Sequence, residues 1–138
     1  EIEFRIDPKA HAWERLCQMV RAQLETMERH KDILRTLLLV RWYLSDRRER
    51  KKWLRLLRYR QRHLGRIQAI LDEGLKGKIF YPMDAAAAAF YINEMTISTA
   101  QRRLMGLSPS SLEQDAQGLI RLLGLLLRHE KHFRSSEV

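Results

Sequence analysis

The chain has 138 residues, 45% of them hydrophobic and 31% charged, with 26 Lys and Arg against 17 Asp and Glu for a net charge of +9. That length suits one domain around a single core, and the apolar content excludes a disordered polar tract. Apolar runs such as residues 122–127 fall far short of the ~20 residues a bilayer span requires, so no membrane partner is expected.

The positive charge is local. Ten basic residues lie between positions 46 and 66 against Asp46 and Glu49 alone, and this segment therefore carries +8 of the +9. Such a field gathers polyanions without specific contacts, which leaves open a helical module binding nucleic acid or an acidic protein surface through residues 47–66. The plainer alternative is the solvated face of an outer helix. Cys17 is the single cysteine and has no intramolecular partner, and no basic leader precedes an apolar stretch and a cleavage site. Both features point to the reducing cytoplasm. Glu1 in place of a starting methionine implies a fragment or a processed product.

Taken in chain order, residues 1–7 read as an extended lead-in, with Asp7 and Pro8 placed as an N-cap and a first-turn proline. A first helix follows to about His30, with Trp13, Leu16, Cys17, Val20, Leu24 and Met27 on one face. Residues 33–44 leave almost no polar face and predict a helix surrounded by protein. Ser45 and Asp46 break the chain and cap a long basic helix that runs to about Leu75. At ~100° per residue, Arg47, Arg48, Lys51, Arg55, Arg58, Arg62 and Arg66 form one stripe of that helix. Trp53, Leu56, Leu57, Leu64, Ile67 and Leu71 form the other. Arg60 alone falls inside the apolar stripe, where a charge is costly unless an opposite one meets it.

Gly74 and Gly77 bracket the end of the basic helix, where a left-handed residue can close the last turn, and Pro82 stops any continuation of the loop 76–82. Helix resumes through Asp84 and the alanines 85–89 to about Met105, where Gly106 ends it. Ser108 and Pro109 open a last helix, with a possible capping box between Ser110 and Glu113, running to about Phe133 before a polar tail at 134–138. No alternating segment of strand length occurs. The fold class is all-α, with five main helices.

The last helix carries more apolar surface than one core can use. Its leucines, with Ala116, Ile120 and Phe133, cover roughly 220° of arc where ~100° suffices. In the preceding helix Ala86, Phe90, Ile97 and Leu104 lie along one line, with Tyr91 and Met95 well round from it. Such surplus suggests a self-complementary patch pairing about a two-fold axis, with Gly118 and Gly124 allowing close approach. The alternative is that another part of the same polypeptide covers it.

The helix order, the stretch Ile70-Leu71-Asp72-Glu73-Gly74-Leu75-Lys76-Gly77-Lys78-Ile79-Phe80, and then Pro82-Met83-Asp84 opening an alanine-rich helix resemble the C-terminal regulatory domain of TetR-like (tetracycline-repressor-like) transcriptional regulators. The resemblance covers residues 8–133. It implies a homodimer whose last two helices build a four-helix bundle, with Ile97, Leu104, Leu119, Leu122, Leu123 and Leu126 at the interface. It also implies an inducer pocket within each subunit, whose small-molecule effector moves the DNA-binding heads and releases the operator. No helix-turn-helix segment precedes residue 8, so operator DNA is expected to be reached only through an N-terminal domain missing from this chain.

Trp13, Cys17, Trp42, Trp53, Leu57, Phe90 and Tyr91 come from four helices and suit an apolar cavity, although aromatics at helical spacing also serve as plain core. Arg60 and Glu94 are the charged groups best placed to face inward. They either pair with each other or leave Arg60 to hold the carboxylate or phosphate of an acidic, amphipathic effector. His129 and His132 lie one turn apart, but only Glu130 stands near to complete a metal site, and they serve better as complement to the helix dipole. Neither a cofactor nor an enzymatic activity is expected, because no phosphate loop, nucleophile elbow or zinc-protease motif occurs.

Overall fold

Leu16, Met19, Val20, Gln23 and Leu24 recur at the i, i+3, i+4, i+7, i+8 spacing of one helical face, and this face is the centre of the fold: all five are buried. The structure, a computed structural model, describes residues 11–32 and 47–128, apart from the side chains of residues 47–50, 52, 53 and 56. Among the described residues there are four helices: α1 (Ala12–Arg29), α2 (Arg47–Lys76), α3 (Ala85–Leu104) and α4 (Leu112–Leu127). Helix α1 packs against each of the other three, α2 also packs on α3, and α3 on α4. The all-helical class is as expected. The apolar helix expected at 33–44, the caps expected at Asp7–Pro8 and Ser45–Asp46, and the tail at 134–138 lie outside the described residues.

The core joins Leu16, Met19, Val20 and Leu24 of α1 to Ile67, Ile70 and Leu71 of α2, Ala89, Ile92 and Ala100 of α3, and Ala116, Leu119 and Leu123 of α4. Helix α3 buries mainly small residues, which lets its axis come close to its neighbours and leaves Phe90 and Tyr91 outside. None of the described helices is long and apolar enough to cross a membrane.

Three local features differ from the sequence expectation. First, α2 continues through Gly74 to Lys76, and the left-handed residue closing its end is Lys78 (φ 56°), not a glycine. Gly74 serves a different purpose. A Cβ there would lie 2.1 Å from Phe80 Cδ2 and Cε2, so its bare backbone admits the Phe80 ring as the chain folds back. Backbone N–H groups of Ile79 and Phe80 donate to the Gly74 carbonyl at 2.8 and 3.3 Å.

Second, the capping box that opens α4 is Ser111 with Gln114, one residue beyond the expected Ser110 and Glu113. The pattern of a hydroxyl followed three residues later by Glu or Gln occurs in both registers. Ser110 is already engaged: its carbonyl accepts from Arg103 Nη1 at 2.7 Å and its N–H donates to Ser108 Oγ at 3.3 Å.

Third, α4 ends at Leu127 rather than near Phe133. Arg128 is extended (φ −76°, ψ 135°) and forms an isolated antiparallel bridge with Phe80, while Tyr81 N–H donates to the Leu127 carbonyl at 2.8 Å. The loop after α2 thereby takes the carbonyl that another helical turn would have used. At the other end of α3 the sequence is followed: Gly106 (φ 69°) terminates it. Asp84, read as part of the resuming helix, stands just before it and caps it by accepting from the N–H groups of Ala86 and Ala87.

Candidate functional site

The interior between α1, α2 and α3 contains polar groups that an apolar core does not need. His63 from α2, Gln23 from α1, and Asn93 and Thr96 from α3 are all buried. Gln23 Nε2 donates to Asn93 Oδ1 at 3.0 Å and turns its Oε1 to His63 Nε2, 2.8 Å away. One glutamine thus ties three helices together. His63 Nδ1 is buried with no hydrogen-bond partner. Burial, and then the nearby Arg66 charge, push the His63 pKa down to about 4, so the ring is neutral near pH 7. Thr96 satisfies its hydroxyl by donating to the Ile92 carbonyl at 2.8 Å.

One turn before His63, Arg60 meets Glu94 of α3: Nη2 and Oε1 are 2.5 Å apart, with the two side chains 35% and 33% exposed. The Arg60 guanidinium also sits 5.7 Å from the centroid of the Phe90 ring, at the distance of a cation–π contact. Phe90 packs edge-on against Tyr91 at 5.5 Å. Arg60, Glu94, Phe90 and Tyr91 are therefore one cluster at the edge of the α2–α3 contact. Phe90 and Tyr91 are largely exposed and Leu57 is half-buried.

Trp13 and Cys17 belong to a second place. Gly124 on α4 gives Trp13 its seat, since a Cβ there would approach the Trp13 ring atoms Cη2 and Cζ2 to 3.3 Å. Arg128 covers the same ring at 5.2 Å from its centroid. Cys17 lies one turn on. Burial pushes its thiol up to about 11, against the opposing pull of Arg21 and Arg128, so it is not a thiolate near neutrality. Trp13 precedes Gln23 by ten residues, about 15 Å along a helix. The Trp13–Cys17 group and the Arg60–Glu94 group are thus separate. Trp42 and the side chain of Trp53 lie outside the described residues, as do His129 and His132.

The residues expected at a dimer interface divide by face. Leu104, Leu119 and Leu123 are buried within this chain, and Ile97 is half-buried. Leu122 and Leu126 are 46% and 56% exposed, with Leu125 beside them at 61%. An open groove of about 270 Å³ runs past Leu122 and is lined also by Thr99, Arg102, Gln114, Asp115, Gly118 and Leu119. Met105 and Leu107 are exposed in the turn after α3.

Sequence reasoning missed the buried polar residues. His63 and Asn93 each sit at the margin of an apolar stripe, where a polar side chain reads as the start of the wet face. It also missed Arg103, which accounts for much of the joint between α1, α3 and α4. Arg103 Nη1 contacts Asp115 Oδ2 at 2.9 Å, and its Nε and Nη2 reach both Glu28 carboxylate oxygens at 3.3 and 3.2 Å. Burial alone would raise the Asp115 carboxyl, but the Ser108 hydroxyl and Arg103 outweigh it and hold the group below its ordinary value. Comparison with models of known protein families and with characterised proteins finds no match.

Proposed function

We propose that the chain is the effector-binding and dimerisation domain of a TetR-like transcriptional repressor, taking a small apolar or amphipathic ligand and acting on operator DNA through a helix-turn-helix head joined to it. The observation that carries this proposal is the two-sided character of α4. Ala116, Leu119, Leu123 and Leu127 are used by the chain's own core, while Leu122, Leu125 and Leu126 face outward. Apolar surface on both sides of the last described helix is what an isologous pair about a two-fold axis consumes.

In this reading the effector enters the α1–α2–α3 interior, where apolar side chains surround the buried Gln23, His63 and Asn93 and the bound arrangement opens space among them. Ligand acts by population shift. It binds one arrangement of the helices more tightly than the other, and that difference in affinity is all that is transmitted to DNA release.

Native mass spectrometry of the purified chain tests the assembly directly. A dimer at twice 16.5 kDa is expected, with any retained effector as added mass. Leu122→Glu with Leu126→Glu is expected to give a monomer of unchanged helix content by circular dichroism. A wild-type chain that is monomeric at tens of micromolar overturns the proposal.

A further inference from the structure

The outward face of α2 is unlike the rest of the surface and is independent of the proposed dimer. Lys51, Arg55, Arg58 and Arg62 are all exposed and follow at i, i+4, i+7 and i+11, so they fall along one side of the helix. At 1.5 Å per residue they extend over about 16 Å. Among the described residues none of the four is held in an ion pair. No acidic residue occurs between positions 51 and 66. Two uncharged donors flank the cations: Gln61 on one side, and on the other Tyr59, 53% exposed with its ring stacked on His63. The stripe ends where the exposed Asp72 and Glu73 begin.

We infer that this face binds the phosphate backbone of a nucleic acid. Lysine and arginine with Tyr and Gln donors are the groups that contact phosphate and sugar without reading bases. A row of exposed cations along one helix presents them at fixed intervals to a linear array of anions. An anionic membrane fits less well. A helix lying in a bilayer surface needs a free apolar face to insert. Beside the stripe only Leu54 and Tyr59 are exposed large apolar side chains among the described residues, while Ile67, Ile70 and Leu71 further along α2 are committed to the core. The vesicle arm of the test separates the two partners.

The test is fluorescence anisotropy of the 138-residue chain with a labelled duplex of arbitrary sequence at 50 and 200 mM salt. Each neutralised phosphate contributes about −0.9 to the slope of log K against log salt. Four contacts therefore give a loss of affinity of roughly 150-fold over that range, and Arg58→Gln with Arg62→Gln reduces it to roughly 10-fold. Both side chains are exposed, so circular dichroism is expected to be unchanged. Lys76→Gln with Arg121→Gln, equal in charge removed and distant from the stripe, is expected to leave the salt dependence as it was. Absence of binding at 50 mM salt, equal effects of the two double variants, or tighter binding to phosphatidylserine vesicles than to the duplex would each overturn the inference. None of these outcomes bears on the oligomeric state, so the proposed dimer stands or falls separately.

Discussion

His63 Nε2 donates to Gln23 Oε1 at 2.8 Å because the Gln23 amide nitrogen is already turned to Asn93. That fixes the neutral tautomer with hydrogen on Nε2. A second proton has to go on Nδ1, which is buried and faces no partner, and this is the structural reason the imidazolium is disfavoured.

Acid sensitivity follows from that contact. The pKa of His63 is about 4 in the fold against about 6.5 for a free histidine. The unfolded chain then binds more protons than the folded one between these values. The contribution to stability is complete above about pH 6.5 and is lost as pH falls towards 4, on the order of 3 kcal/mol in all. Urea denaturation at pH 7.5, 6 and 4.5 is expected to show this decline, and His63→Gln, which retains a donor for Gln23, is expected to flatten it. An unchanged profile in the variant would locate the acid sensitivity elsewhere.

Two glycines on the same helix are expected to respond in opposite directions to alanine. Nothing lies within 4 Å of a Cβ at Gly65, so Gly65→Ala gains about 0.5–1 kcal/mol from helix propensity. At Gly74 the new methyl would lie 2.1 Å from the Phe80 ring. Phe80 is a core residue, and forcing it aside costs about 2 kcal/mol net. Thermal denaturation of the two variants reads the sign directly, and a stabilised Gly74→Ala would contradict the described turn.

For Arg60 the observed partner is Glu94, so Arg60→Leu is expected to lower stability by about 1 kcal/mol, since both groups are a third exposed and solvent screens them. A double change of Arg60 and Glu94 to leucine recovers most of that loss if the two interact chiefly with each other. A strictly additive cycle from chemical denaturation would show that they do not.

Arg103 is expected to be the more sensitive arginine. Its side chain is only 15% exposed and that of Asp115 only 16%, and Glu28 joins from α1. Arg103→Met leaves two carboxylates without their partner and costs about 1–2 kcal/mol. Arg103→Lys restores little, because an ammonium cannot direct three nitrogens at separate carboxylates in one plane. Equal stability of the Lys variant and the wild type in urea would refute the importance of the fork.

Helix type and most boundaries were legible because they depend on signals within a few residues of each other. The apolar period gave α1, the alanine run gave α3, and Gly106 closed it. Where two local solutions existed, sequence could not choose. Ser110 and Ser111 both start a capping pattern, and the carbonyl taken by Arg103 decides between them. Arg60 was visible as a charge in an apolar stripe and Glu94 as an inward acid, so that pair could be anticipated. Trp13 was not separable from the Arg60 group, because sharing an apolar face says nothing about height along it.

By itself the sequence determined that this chain is helical, that one segment holds nearly all its net charge, and that its last helix has more apolar surface than one core requires. These are properties of composition and of the 3.6-residue period, which no neighbour can alter. Only the tertiary structure decided which leucines of α4 are spent on the chain's own core, that Gln23 bridges His63 to Asn93, and that Gly74 makes room for Phe80. Each of those depends on a residue far off in sequence, brought within a few ångströms by packing. Contact energies fall off over that same distance, so they cannot be read until the elements have been placed.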